Sequence, residues 1–283
     1  MPRTPRADAI VVNHARKHFG HHLAVDNIDF RVTAGERVAL LGASGSGKST
    51  LIRLLSGLER SDRDSGGIEI LGRSMQAHGE IQPEARELRR DVGVIFQQFN
   101  LVGRLPVLTN VLLGLSSRVP LWRLATGNFS ADEQAQALQA LAQLGLTEQA
   151  FQRASTLSGG QQQRAAIARV LLQGAQVVLA DEPVASLDPE STKRVMDHLV
   201  ELNARLGITL VVSLHQVHLA RRYCHRVIAL KRGRVLFDGP SQYLDGELIR
   251  DLYGQGAQEL LSADAVDLNS PPSHLHSTHP AVT

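Results

Sequence analysis

The residues that most restrict the fold are Gly42-Ala43-Ser44-Gly45-Ser46-Gly47-Lys48-Ser49, a full match to G-x-x-x-x-G-K-[ST]. The pattern carries meaning only when the chain enters it from a strand and leaves it in a helix. Both conditions hold. Val38 to Leu41 is an unbroken apolar run, and beyond Lys48, Ser49 and Thr50 the leucines of TLIRLLSGL recur at helical spacing. Glycines let backbone N–H groups converge on an anion, and the positive end of the helix that starts there adds to the attraction. Lys48 can then reach β and γ phosphates, while the Ser49 hydroxyl can ligate Mg²⁺. The segment reads as a nucleoside triphosphate site.

The rest of the chain is organised around that site. AIVVN (9–13) and IDFRV (28–32) alternate like strands and are separated from the next strand by turn formers at 34–36. VGVIF (92–96) reads as a buried strand, and residues 98–174 turn to alanine, leucine and glutamine in helical patterns such as ADEQAQALQALAQLGL. Strand and helix alternate again through VVLADEP, a helix near 190–206, ITLVVSLH and VIALKRGRV. This order predicts an α/β fold with a mixed, largely parallel sheet, a β-rich N-terminal part and a helical insertion.

Composition excludes several functions. Lysine and arginine number 30 against 28 acidic residues and aromatics make up 4%, so neither a basic nor a base-stacking surface argues for nucleic acid. The single Cys224 cannot form an internal disulfide and reads as a small, half-buried residue. No stretch approaches the ~18 apolar residues of a membrane span, and MPRTPRADAIVV lacks the apolar run of a secretory leader. The expectation is a soluble chain whose membrane role, if any, runs through a partner. From Gln255 onward the sequence loses periodicity and gains proline, serine and histidine, which predicts a loosely ordered tail at 255–283. His274, His276 and His279 lie in it without cysteine or carboxylate companions, so no metal site is read there.

Four further positions carry chemistry. The run Val177 to Ala180 delivers Asp181 and Glu182 to a strand end, where adjacent carboxylates point to different sides. Asp181 is placed to hold Mg²⁺ through water, and Glu182 to polarise a water attacking the γ phosphate. His215 ends ITLVVSLH. A histidine after a buried strand is commonly structural, but this one ends a strand expected beside that of Glu182 and can hydrogen-bond the γ phosphate. Gln97 follows VGVIF; it reads either as a surface amide or as a ligand for Mg²⁺ or water that moves with the insertion.

LSGGQQQR (157–164) supplies an N-cap serine, Ser158, before two glycines, Gly159 and Gly160, whose N–H groups are free for an anion. This is a second phosphate-binding helix start, placed in the insertion away from Lys48. It is best used on the nucleotide of another copy, which gives two composite sites in a head-to-tail pair.

GASGSGKST, FQQ, LSGGQQQR, VVLADEP, SLDP and SLHQ, in this order, resemble the ATP-binding subunit of ABC transporters over residues 8 to about 254. The resemblance implies a P-loop NTPase with a RecA-like core at 8–97 and 175–254, a helical subdomain at 98–174, Mg²⁺-dependent ATP hydrolysis and a homodimer. It further implies that Gln97 senses the γ phosphate and the membrane partner, that Ser158, Gly159 and Gly160 bind ATP in trans, and that Asp188 contacts the facing phosphate loop. Phe19, in KHFG, falls where such subunits stack an aromatic on adenine. GVIFQQFNLVGRL, PLWR and HQVHLARRYCHRVIALKRGRV are similar to the phosphonate-importer branch, in which a permease and a periplasmic solute-binding protein complete the transporter at the cytoplasmic face of the bacterial inner membrane. Phosphite, a phosphate ester or a polar amino acid are alternative cargoes. A soluble ABC ATPase acting in DNA repair or translation is the more distant alternative.

Overall fold

The computed structural model describes residues 7–254 of the 283, so the predicted tail and its three histidines lie outside the described residues. In chain order the elements are β1 (Asp8–Phe19), β2 (His22–Thr33), β3 (Arg37–Leu41), α1 (Lys48–Leu55), β4 (Gly67–Ile70), β5 (Arg73–Ala77), β6 (Glu80–Ile81), α2 (Ala85–Leu88) and β7 (Val92–Ile95). Then follow α3 (Val107–Leu112), α4 (Leu121–Thr126), α5 (Ala131–Gln143), α6 (Gly159–Gln173), β8 (Val177–Ala180), α7 (Pro189–Leu206), β9 (Thr209–Leu214), α8 (Val217–Tyr223), β10 (Arg226–Lys231), β11 (Arg234–Pro240) and α9 (Gly246–Tyr253).

One sheet has the order β11-β10-β3-β9-β8-β7, parallel throughout except for its edge strand β11. Its central strands are apolar on both faces because both faces are covered. Val38 and Leu40 face one core together with Leu179, Val211 and the α1 residues Leu51 and Leu55. Ala39 and Leu41 face the other, with Val178, Ala180, Val212 and the α7 residues Val195 and Leu199. The period of two along each strand thus divides the molecule into two cores. The second sheet, β2-β1-β4-β5-β6, is antiparallel and closes over the α1 side.

The three longest helices begin on side-chain caps. Ser130 and Glu133 form a reciprocal cap on α5, and Ser158 and Gln161 do the same on α6. Asp188 caps α7 ahead of Pro189, and Gly207 ends that helix in a left-handed turn. Everything between β7 and β8, two neighbouring parallel strands, is helix or connecting turn: α3 to α6 with two short 3₁₀ stretches. Two details differ from the sequence reading. Phe96 lies beyond the end of β7, and Cys224, expected to be half-buried, is only 2% exposed because it backs onto the core beside α8.

Candidate functional site

The glycine-rich loop joins β3 to α1, as its flanks predict. Gly47 is the N-cap of α1 with φ 107, a conformation strained for any L side chain, and a Cβ there would meet the Ala24 carbonyl oxygen at 2.4 Å. The loop is therefore pressed against β2 with no room for a larger residue. Its outer side opens into a cleft of about 440 Å³ lined by Ser44 to Thr50, Phe19, Gln97, Glu182 and His215. His22 and Ala24 complete the wall. Residues scattered over almost two hundred positions of sequence share one cavity. Phe19, at the end of β1, is 45% exposed there, and the Lys17 ammonium stands 5.0 Å from its ring centre.

The Lys48 side chain is buried, and its Nζ donates to the carbonyls of Gly42 (2.7 Å) and Ala43 (3.2 Å). Burial holds its pKa below the ordinary value, opposed by the charges of Glu182 and Asp181. The Glu182 carboxylate lies 3.8 Å away.

Strand β8 ends at Ala180, and the two carboxylates that follow diverge as their positions require. Asp181 is buried, and its Oδ1 accepts from both the Ser49 and Ser213 hydroxyls at 2.9 Å. Glu182 turns the other way through a left-handed residue, φ 48, and its Oε1 approaches Nε2 of His215 at 2.6 Å. The backbone that permits this is held from β9: the Glu182 amide donates to Ser213 Oγ at 2.8 Å. Ser213 therefore serves both residues, donating to the Asp181 carboxylate and accepting from the Glu182 backbone amide. A hydroxyl in the middle of the apolar strand TLVVSL was the signal in the sequence that could have revealed it.

Gln97 lines the cleft just past β7. The next turn contains two consecutive non-glycine residues at positive φ, Phe99 (56) and Asn100 (49), an arrangement that neighbours must enforce. Arg169 of α6 does so, donating to the carbonyls of Asn100 (2.7 Å) and Phe99 (3.4 Å), and burial lowers its pKa. Asn110, fully buried on α3, pins the chain two residues beyond Asn100 by exchanging bonds with the Val102 amide and carbonyl. At the other end of the chain the Tyr253 hydroxyl donates to the His215 carbonyl at 3.0 Å, and burial pushes its pKa up to about 12. Arg169, Ser213 and Tyr253 escape sequence reasoning because their contacts depend on which elements pack together, whereas those of Asn110, to Val102, Leu105 and Pro106, are local to the start of α3.

Ser158, Gly159, Gly160 and Asp188 do not line this cleft. Ser158 caps α6, accepting from the Gln161 amide, and Asp188 caps α7, accepting from the Ser191 amide at 2.9 Å. The Ser191 hydroxyl and amide hold the Asp188 carboxyl below its usual range.

The residues fit a nucleoside triphosphate and its hard dication. The loop has its backbone curled around a buried ammonium, and the hydroxyl of Ser49, the carboxylate of Asp181 and the amide of Gln97 are the oxygen donors that Mg²⁺ selects. Among the described residues no cluster of three His, Cys, Asp or Glu suits a transition metal.

The family model described as "ABC transporter" matches residues 25–185. Phosphonates import ATP-binding protein PhnC 2 of Pseudomonas aeruginosa is 58% identical over 257 residues, covering 90% of this chain and 92% of the relative. Phosphonates import ATP-binding protein PhnC 1 of Cupriavidus metallidurans is 57% identical over 84% of both chains. Among solved structures, the dimeric bacterial ABC transporter cassette MJ0796 superposes with TM-score 0.72 at 33% identity, covering 82% of this chain and 98% of that one. The same cassette as a post-hydrolysis dimer bound to ADP and Pi gives 0.70. With the family model spanning more than half of the chain and import ATP-binding proteins matching nearly all of it, this chain belongs to the ABC transporter family, as an ATP-binding subunit.

Proposed function

We propose that this subunit hydrolyses ATP to energise uptake of phosphonates through a separate permease. The observation that carries the catalytic part is the divergence of Asp181 and Glu182 at the end of β8, one bonded to Ser49 of the phosphate loop and the other beside Lys48 and His215. The cargo rests on the relatives: proteins 57–58% identical over most of this chain are named as phosphonate importers. Phosphite, phosphate esters and polar amino acids recede accordingly, as does a soluble role in repair or translation.

In this reading the amides of residues 42–50 bind the phosphates, Lys48 leaves the carbonyls of Gly42 and Ala43 to hold the γ phosphate, and Phe19 stacks on adenine. Ser49, Asp181 and Gln97 hold Mg²⁺, which when bound neutralises phosphate charge. Glu182 accepts a proton from the attacking water, and His215 orients Glu182 and the γ phosphate. Ser158, Gly159, Gly160 and Asp188 close the site from a second copy, so two chains enclose two nucleotides. The stretch 98–174 moves with Gln97 against the core of 8–97 and 175–254 and meets the permease. The assembly sits at the cytoplasmic face of the inner membrane, with a periplasmic binding protein supplying cargo on the far side. Consistent with peripheral attachment, no helix among the described residues is long and apolar enough to cross a membrane.

The test combines two measurements. Purified subunit must hydrolyse ATP with Mg²⁺, and a strain lacking the gene must fail to grow on a phosphonate as sole phosphorus source while still growing on phosphate. Normal growth of the deletion strain on phosphonates would remove the cargo assignment.

A further inference from the structure

Gly160, the second residue of α6, is buried against the start of α7. A Cβ built on it would lie 2.6 Å from Ser191 Oγ and 2.8 Å from Ser191 Cβ, closer than real side chains approach, with Ser191 Cα next at 3.8 Å. Beside it, a Cβ on Gly159 would stand 3.3 Å from Leu187 Cδ2. The same Ser191 closes the cap of α7, its amide on Asp188 Oδ1. One small side chain thus packs on Gly160 on one side and belongs to the Asp188 turn on the other.

Those are the two elements that act on the nucleotide of the second copy under the reading above, on which this inference rests. We propose that Ser191 is a positioning residue: it locks the Ser158-Gly159-Gly160 helix start to the Asp188 turn, so that each chain presents both to its partner as one rigid surface. Gly160 is glycine because Ser191 leaves no space for a Cβ. The competing explanation is that Gly160 must be bare for the nucleotide alone. Both make Gly160→Ala harmful; they part at the second site.

The experiment is a double-variant series in the full chain, read by ATPase kinetics and by melting temperature. Gly160→Ala lowers kcat by about ten- to a hundredfold, the scale of a displaced catalytic element, with KM and ATP affinity of the monomer within a few-fold. Adding Ser191→Ala leaves a Cβ in the way and restores little. Adding Ser191→Gly leaves only ordinary contact, and kcat returns to that of Ser191→Gly alone. The amide that caps Asp188 is kept in every variant. A folded Gly160→Ala/Ser191→Gly protein clearly slower than Ser191→Gly alone overturns the proposal, as does a Gly160→Ala protein of wild-type kcat. The melting temperatures test the contact without hydrolysis: Gly160→Ala destabilises the wild type and not the Ser191→Gly background. If the wild type itself fails to hydrolyse ATP, the functional reading falls while the melting cycle still decides the contact.

Discussion

Oε1 of Glu182 lies 2.6 Å from Nε2 of His215, across the gap between the ends of two adjacent parallel strands. The pairing aims the carboxylate into the cleft that holds the phosphate loop, with the ammonium of Lys48 on its other flank. Glu182→Gln keeps the size and the hydrogen bond but removes the base. ATP binding survives, and hydrolysis falls by roughly two to four orders of magnitude. That equals about 3 to 5 kcal/mol of transition-state stabilisation. Size-exclusion chromatography with ATP then shows a persistent dimer, whereas Asp181→Asn weakens the response to Mg²⁺ without trapping one. A Glu182→Gln protein of wild-type rate would assign the base elsewhere.

Ser158→Arg places a long cation at the start of α6, outside the cleft of its own chain. Turnover is abolished, yet the isolated monomer binds ATP within a few-fold of wild type. Collapse of monomer affinity, measured by nucleotide titration, would show that this helix start serves its own chain.

Ser213→Ala leaves the Glu182 backbone amide without its acceptor and the Asp181 carboxylate without one of its two donors. The site is buried, so the expected loss is about 1 to 3 kcal/mol. Urea unfolding reads it as a lower midpoint at unchanged slope. Turnover falls with it, because φ 48 at Glu182 is held by that bond. An unchanged midpoint would mean that the hydroxyl holds nothing.

Burial lowers the pKa of Lys48 from its ordinary 10.5, so the unfolded chain binds that proton more tightly than the folded one. The charge therefore costs stability below the folded pKa, and stability is regained as pH climbs from there toward 10.5. Lys48→Met removes the cost: without nucleotide the variant melts higher than wild type near neutral pH, and the difference shrinks in alkaline buffer. The rise in melting temperature that ATP gives the wild type disappears. A variant less stable than wild type at neutral pH would show that the carbonyl and carboxylate contacts outweigh burial.

Cys224 is the one thiol in the sequence, and burial pushes its pKa up to about 12. A thiol reagent at pH 8 labels it only as fast as the surrounding core opens. Labelling thus follows unfolding through a denaturant series, and rapid reaction in native buffer would contradict its burial.

The phosphate loop and the carboxylates at 181 and 182 are legible in the sequence because each depends on neighbours in the chain: a strand before, a turn or helix after. Parallel strands also announce themselves, since a strand covered on both faces is a plain apolar run such as VVLA. The hairpins of β4 to β6 do not, because GIEI and RSMQA are short and mixed in polarity, the first fixed by pairing with β1 and the second by pairing with the first. Ser213 meets the carboxylates only through the register that sets Ala180 against Val212. Arg169 reaches the turn after Gln97 from a helix some seventy residues away. No local pattern encodes either contact.

The chain leaves the sheet at the C-terminal end of β7 and re-enters it at the N-terminal end of β8, its parallel neighbour, so some eighty residues are carried on a single crossover between adjacent strands. Nothing in the strand ladder records how long that detour is or what its outer surface looks like. Its length and outer surface can therefore change without altering the pairing of the sheet that carries it. What ties it back lies outside the ladder: the Gln173 amide on the carbonyls of Arg89, Arg90 and Val92, and Arg205 of α7 on Gln143 Oε1.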